Sequence, residues 1–278
     1  MGLFCNLERF STENRFSLFG NRSSRGLALS NDPIHQFHIT PIAPLNIGGL
    51  DASFTTASLF MVASVAAVSG FMWWAMRPAA LVPGRAQLAA ETGFTFIRNM
   101  VRDTTGEEGV RRFFPFVFTL FLFIFAANMI GMFPYFFTPT SQIVVTATMA
   151  LMVFFTVIGV GLWKNGFKFF KIFVPSGVPW YILWFVVIIE IISFFSRPLS
   201  HAVRLWANIL AGHLVLKVFA GFVPMMAAAG FIGVLGSVLP LGLTVALYAL
   251  EFLVAFLQAY VFAMLTCVYL NDALHPGH

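Results

Sequence analysis

The run SRPLSHAVRLWANILAGH holds Arg204 in the middle of an apolar stretch long enough to cross a bilayer. An arginine at the bilayer centre costs about 2.5–17 kcal/mol, depending on how it is measured. A guanidinium cannot escape that cost by giving up its proton. A chain that keeps such a group uses it, and its neighbours indicate the chemistry. With about 100° of rotation per helical residue, Glu190, Ser193, Arg197, Ser200, His201 and Asn208 fall at about +40°, −20°, +20°, −40°, +60° and +40° from Arg204. Together with Arg204 they form a polar stripe about 100° wide on one helix face. His213 lies about 180° away and points elsewhere. On the last apolar helix, Thr244, Tyr248, Gln258 and Tyr269 share the face of Glu251 within about 60° on one side and 20° on the other.

These residue types suit proton movement. Buried carboxylates and histidines exchange protons near neutral pH when their surroundings are tuned. Arginine does not relay protons, but it can block a leak and force a nearby carboxylate to ionise. The two helices run antiparallel, so Glu190 and Asp272 lie toward one membrane face and His213 and Glu251 toward the other. Arg204, Asn208 and Gln258 fall between. This is the layout of two half-channels separated by a permanent cation. The chain offers no moving part of its own, so the carboxylate that meets Arg204 is expected on another subunit.

Each residue also has a plainer reading. Arg204 could snorkel to the interface. Glu251 could be a neutral core carboxyl, and His213 a satisfied core histidine. Glu190 and Asp272 sit nearer helix ends, where solvated carboxylates are common. Ser193, Ser200 and His201 either line water or bond back to their own helix. Arg197 either binds headgroups or faces a partner, and Lys217 is read as snorkelling. The mid-helix place of Arg204 and the surrounding stripe favour the functional reading.

The elements that hold these residues follow from composition. The chain has 278 residues, 59% hydrophobic and 10% charged, against about 25% charged in soluble domains. It reads as an all-α polytopic membrane protein. Spans are expected at about 55–76, 113–137, 142–163, 180–222 and 243–270, with an amphipathic helix on the membrane surface at about 83–104. The 180–222 stretch exceeds one perpendicular crossing, so it is tilted, kinked at Pro198 or divided in two. Region 221–242, with its glycines and prolines, is expected to turn the chain. Residues 1–30 read as a polar tail or a targeting segment, and residues 31–278 as a single membrane domain. Six arginines in loop 77–112 and three lysines in 164–171 place those loops on the cytoplasmic (or matrix) side. The basic residues are accounted for by lipid and topology and do not signal nucleic acid. Cys5 and Cys267 fit no disulfide framework, and no metal or cofactor motif is present. There is no nucleotide-binding loop.

At SRPLSHAVRLWANILAGH the chain resembles subunit a of the F-type ATP synthase, of the mitochondrial and alphaproteobacterial kind. DPIHQF, SFTTASLFM, NMIGMFPYFFTPTS and LEFLVAFLQAYVFAMLTCVYLNDA extend the resemblance over most of the chain from about residue 31. It implies a stator subunit that catalyses nothing alone and provides two offset proton half-channels against a rotating c-ring. Arg204 would match the essential arginine, with Asn208 beside it and Gln258 opposite. His213 and Glu251, with Asn208 and Gln258, would form the proton inlet, and Glu190 and Asp272 the outlet. Ser193, Ser200, His201 and Tyr248 would line the path. The last two helices would form a long tilted hairpin. Implied partners are the c-ring, peripheral-stalk b-type subunits, other Fo subunits and the bilayer, in a bacterial or mitochondrial inner membrane. Two other classes compete. A self-contained transporter predicts internal repeats, which are not evident. A structural anchor leaves the polar stripe unexplained.

Overall fold

The computed structural model describes residues 41–43, 46–47, 50–51, 53–77, 82–133, 136–174, 180–228 and 230–274. The tail 1–30 and His35, His38, His275 and His278 lie outside them. Five helices carry the fold: α1 Thr56–Met76, α2 Arg85–Gly131, α3 Ile143–Asn165, α4 Trp180–Ala227 and α5 Phe231–Leu274. All five are long and apolar enough to cross a membrane. Ahead of α1 lie two short antiparallel pairings. Strand β1 (Pro41–Ala43) pairs with β4 (Phe54–Thr55), and β2 (Asn46–Ile47) with β3 (Leu50–Asp51).

Helix α1 is apolar all round, and Ala57, Ser64 and Ala75 are its buried residues, as suits a helix facing lipid. Thr55 caps it, its hydroxyl accepting from the Ser58 N–H at 3.4 Å. Helix α2 breaks at Gly106 (φ 73°, ψ −179°) and folds back on itself. Phe94 packs on Phe114 and Phe118, with ring centroids 4.6 and 5.7 Å apart, and Phe96 lies 6.5 Å from Phe121. The charged arm thus turns Ile97 and Val101 fully into the core and leaves Arg98 and Arg102 exposed. At this end of the bundle Lys164 lies 3.7 Å from Glu108, and Arg112 stacks 5.9 Å from the Trp163 ring. The two basic regions of the sequence therefore meet at one end.

Helices α4 and α5 are the longest unbroken helices. At 1.5 Å per residue, the 48-residue α4 extends about 72 Å, more than twice the hydrocarbon thickness of about 30 Å. It runs unbroken through Pro198 and Pro224, so it is one element and not two segments. Helix α5 begins at Phe231, well before the expected start near residue 243. Gly230 (φ 90°) ends the turn, and its carbonyl accepts the first helical bond, from Val234 N–H at 2.9 Å. Pro240 sits inside the helix, a placement membrane helices tolerate. Along α5, Ala255, Ala259, Ala263 and Cys267 recur every fourth residue, each fully buried. This small-residue ridge lets α5 approach its neighbours closely. Glu251 is the next position on the same row, so the packing ridge leads into the polar site.

Candidate functional site

Three groups of polar residues are spaced along α4. Arg197 lies seven residues before Arg204 and His213 nine after it, about 10 and 13 Å of helical rise.

At the His213 level, three elements converge. His213 Nδ1 lies 3.2 Å from Glu251 Oε1 on α5, and both side chains are buried. The other ring nitrogen, Nε2, lies 3.1 Å from Thr138 Oγ1. Thr138 precedes a 3₁₀ turn, Pro139–Ser141, which is buried between the helices. Thr140 Oγ1 donates to Asn128 Oδ1 at 2.7 Å, and Asn128 Nδ2 donates to the Ala255 carbonyl at 3.2 Å. The turn is thereby tied to α2 and α5. Tyr248 donates its hydroxyl to the Met132 carbonyl. Neither Glu251 oxygen has a hydrogen-bond partner among the described residues. The carboxyl meets the imidazole at ion-pair distance but outside hydrogen-bond alignment.

Glu251 fits because position 212 has no side chain. A Cβ there would lie 3.0 Å from Glu251 Oε1 and 3.3 Å from its Cδ. Gly212→Ala is therefore expected to push the carboxylate off His213. If the pair passes protons as the resemblance implies, conduction through the assembled complex should fall about three- to ten-fold, the range for one polar contact. Native conduction in that variant would show that the contact tolerates displacement.

At the other end, Arg197 bridges both carboxylates of the expected outlet. Its Nη1 lies 2.9 Å from Asp272 Oδ2 and its Nη2 3.8 Å from Glu190 Oε1. Its guanidinium also stacks 5.3 Å from the Tyr269 ring and 5.8 Å from the Phe194 ring. Nearby, Asn165 Nδ2 donates to the Ala273 carbonyl at 2.7 Å, fixing the end of α5 against α3. The sequence leaves Arg197 between headgroups and a partner subunit; the structure turns it inward onto Glu190 and Asp272.

Arg204 itself is exposed on the outer face of α4, with Ser200 and Val203, and has no ion pair or hydrogen bond among the described residues. Asn208 and Gln258 are half-buried, and no hydrogen bond to either is found among the described residues. Ser193 is half-buried, its carbonyl accepting from Ser196 Oγ at 2.8 Å. His201 is buried edge-on against Phe262, with centroids 3.8 Å apart, and lies 5.8 Å from the Tyr269 ring. It comes close to the Phe262 carbonyl, yet neither ring nitrogen reaches hydrogen-bond geometry among the described residues. The stripe read from the sequence thus straddles a boundary, with Arg204 and Ser200 facing out and His201 packed inward.

Sequence reasoning missed Thr138, Asn128 and the inward turn of Arg197. The available signal was the uncharged polar FTPTS loop, with hydroxyls on either side of a proline. Periodicity is silent in such a loop.

Comparison with known proteins places residues 58–271 in the family described as ATP synthase A chain. A protein named ATP synthase subunit a from Chelativorans sp. is 59% identical over 250 residues, covering 90% of this chain and 100% of its own length. One of the same name from Parvibaculum lavamentivorans is 62% identical over 247 residues, covering 89% and 95%. A third, from Agrobacterium fabrum, is 60% identical over 250 residues, covering 90% and 100%.

Proposed function

The chain belongs to the ATP synthase A chain family, and from that premise we propose that it conducts protons through two offset half-channels at a c-ring interface, separated by Arg204. It is a multi-pass membrane subunit of the ATP synthase complex and makes no ATP by itself. In this reading protons enter by His213 and Glu251, load a carboxylate on the ring and leave by Glu190 and Asp272 after the ring has turned. Asn208 and Gln258 lie between the two routes, and Ser193, Ser200, His201 and Tyr248 line them. The c-ring is the moving partner. Peripheral-stalk b-type subunits and other Fo subunits hold the chain still against it.

The observation that carries this reading is the contrast between two arginines on one helix. Arg197 is neutralised within the chain by two carboxylates, whereas Arg204 is exposed with no such partner among the described residues. An uncompensated cation on the outer face of an apolar helix calls for an anion from outside the chain. A carboxylate on a passing subunit meets that need, and lipid alone gives no reason for the flanking proton-exchanging pairs. The transporter alternative would place its substrate site within the chain, where Arg204 does not point.

The test is ATP-driven proton pumping in vesicles carrying the whole complex, with each arginine altered in turn. Arg197→Gln is expected to slow pumping a few-fold, because one partner of a part-exposed ion-pair network is lost, while protons stay coupled to ATP. Uncoupling by Arg197→Gln with native behaviour in Arg204→Ala would exchange their roles and refute the assignment.

A further inference from the structure

We propose that Thr138 is a positioning residue of the inlet half-channel, its hydroxyl holding the Nε2 edge of His213 so that Nδ1 stays turned toward Glu251. This rests on reading His213 and Glu251 as the inlet pair.

The two nitrogens of His213 meet different chemistry, with Glu251 Oε1 at 3.2 Å from Nδ1 and Thr138 Oγ1 at 3.1 Å from Nε2. A neutral imidazole carries its proton on one nitrogen, and the group at the other edge selects which. When Thr138 donates to Nε2, the ring proton sits on Nδ1 and faces Glu251. When Thr138 accepts from Nε2, Nδ1 is bare and ready to receive a proton. A hydroxyl serves both states by rotating about its C–O bond. A backbone carbonyl at that place could only accept, and would lock one tautomer. The charged groups acting on His213 are Glu251 from α5 and Lys217 from its own helix. The turn that carries Thr138 contributes no charge, so its hydroxyl steers the ring without biasing the field.

The seat of Thr138 is built. The side chain is almost wholly buried. Its carbonyl accepts from Ser141 Oγ at 2.7 Å and from the Ser141 N–H at 3.1 Å. Gly131 makes the room: a Cβ there would lie 2.2 Å from Thr138 Oγ1 and 2.5 Å from its Cγ2. Any larger residue at 131 would displace the hydroxyl from the ring. The neighbouring Thr140–Asn128–Ala255 chain of hydrogen bonds fixes the turn to the helix that carries Glu251.

The experiment measures passive proton conduction through the assembled complex across the neutral pH range, for Thr138→Ser, Thr138→Ala and Thr138→Val. Thr138→Ser keeps the hydroxyl and is expected to conduct within about two-fold of the native complex. Thr138→Ala loses the same methyl and the hydroxyl as well, and should fall about five-fold, as should Thr138→Val, both with an altered pH profile. In a His213→Ala background, Thr138→Ala should add nothing. Equal rates and profiles for Thr138→Ala and Thr138→Ser would overturn the proposal. So would a full additional loss from Thr138→Ala in the His213→Ala background, or failure of all three variants to assemble, since each makes Thr138 a packing residue. Native conduction by an assembled His213→Ala complex would instead refute the inlet reading itself.

Discussion

Arg204→Ala is expected to abolish ATP-driven proton pumping in vesicles carrying the assembled complex, while passive proton conduction persists or rises. Two unit charges about 4 Å apart attract by about 4 kcal/mol at an effective dielectric of about 20. That is roughly a thousand-fold bias toward the ionised form of a partner carboxylate facing Arg204. Removing the guanidinium removes both the bias and the barrier. A carboxylate could then pass position 204 still protonated, and the two half-channels would no longer be electrically separated. Arg197, the nearest arginine on the helix, is not free to take over, because it is bound to Glu190 and Asp272. Dye-quench measurements of ATP-driven acidification, together with decay of an imposed pH gradient, read the two quantities separately. Coupled pumping at the native level in this variant would make Arg204 a structural charge.

The second large effect is expected from exchanging the members of the buried pair. His213→Glu alone places two carboxyls side by side in a closed site, and Glu251→His alone places two imidazoles there. Each single change is expected to lower proton conduction by at least about ten-fold, the scale of a lost contact between buried polar groups. The double exchange restores one acid and one imidazole to the site of the native 3.2 Å contact, and should recover several-fold over either single variant. Thr138 can serve the exchanged pair, since its hydroxyl can donate to a carboxylate as readily as to a ring nitrogen. An exchange no better than the single changes would remove support for the pair as a functional unit.

Particular residues show how much was legible in the sequence. The helical angle separates Arg204 from His213 by about half a turn, and the structure has one exposed and the other buried. That angle could not say which residue His213 meets; the partner came from the family resemblance. The stripe gathered His201 with Arg204 because angle alone does not report where a neighbouring helix packs, and Phe262 covers one edge of it. Apolar length fixed the existence of α4 but not its continuity, since a proline in a membrane helix reads equally as a kink or an interruption. The early start of α5 was hidden by the same ambiguity, with Pro240 and the nearby glycines imitating a turn. The break of α2 at Gly106 falls between the amphipathic helix expected at about 83–104 and the span expected from about 113, but the hinge residue itself was not legible, because one glycine in a helical pattern is ordinarily tolerated. Thr138 and Asn128 were hidden for a different reason. Their partners lie 75 and 127 residues away, and no local pattern encodes such a meeting.

The order in which the chain is made gives the α5 contacts a further meaning. A polypeptide emerges from its N-terminal side first, and Glu251 and Asp272 both lie on α5, which follows the other four helices. While α4 is in the bilayer without α5, Arg197 already has Glu190 on its own helix, but His213 has no Glu251 and Arg197 no Asp272. On the proposed reading, each half-channel takes its last side chain from α5, which packs on its neighbours through the Ala255–Cys267 ridge. A biogenesis intermediate halted before that step carries the central arginine but lacks one member of each pair. On that reading, insertion of the last helix completes the two conduction routes together.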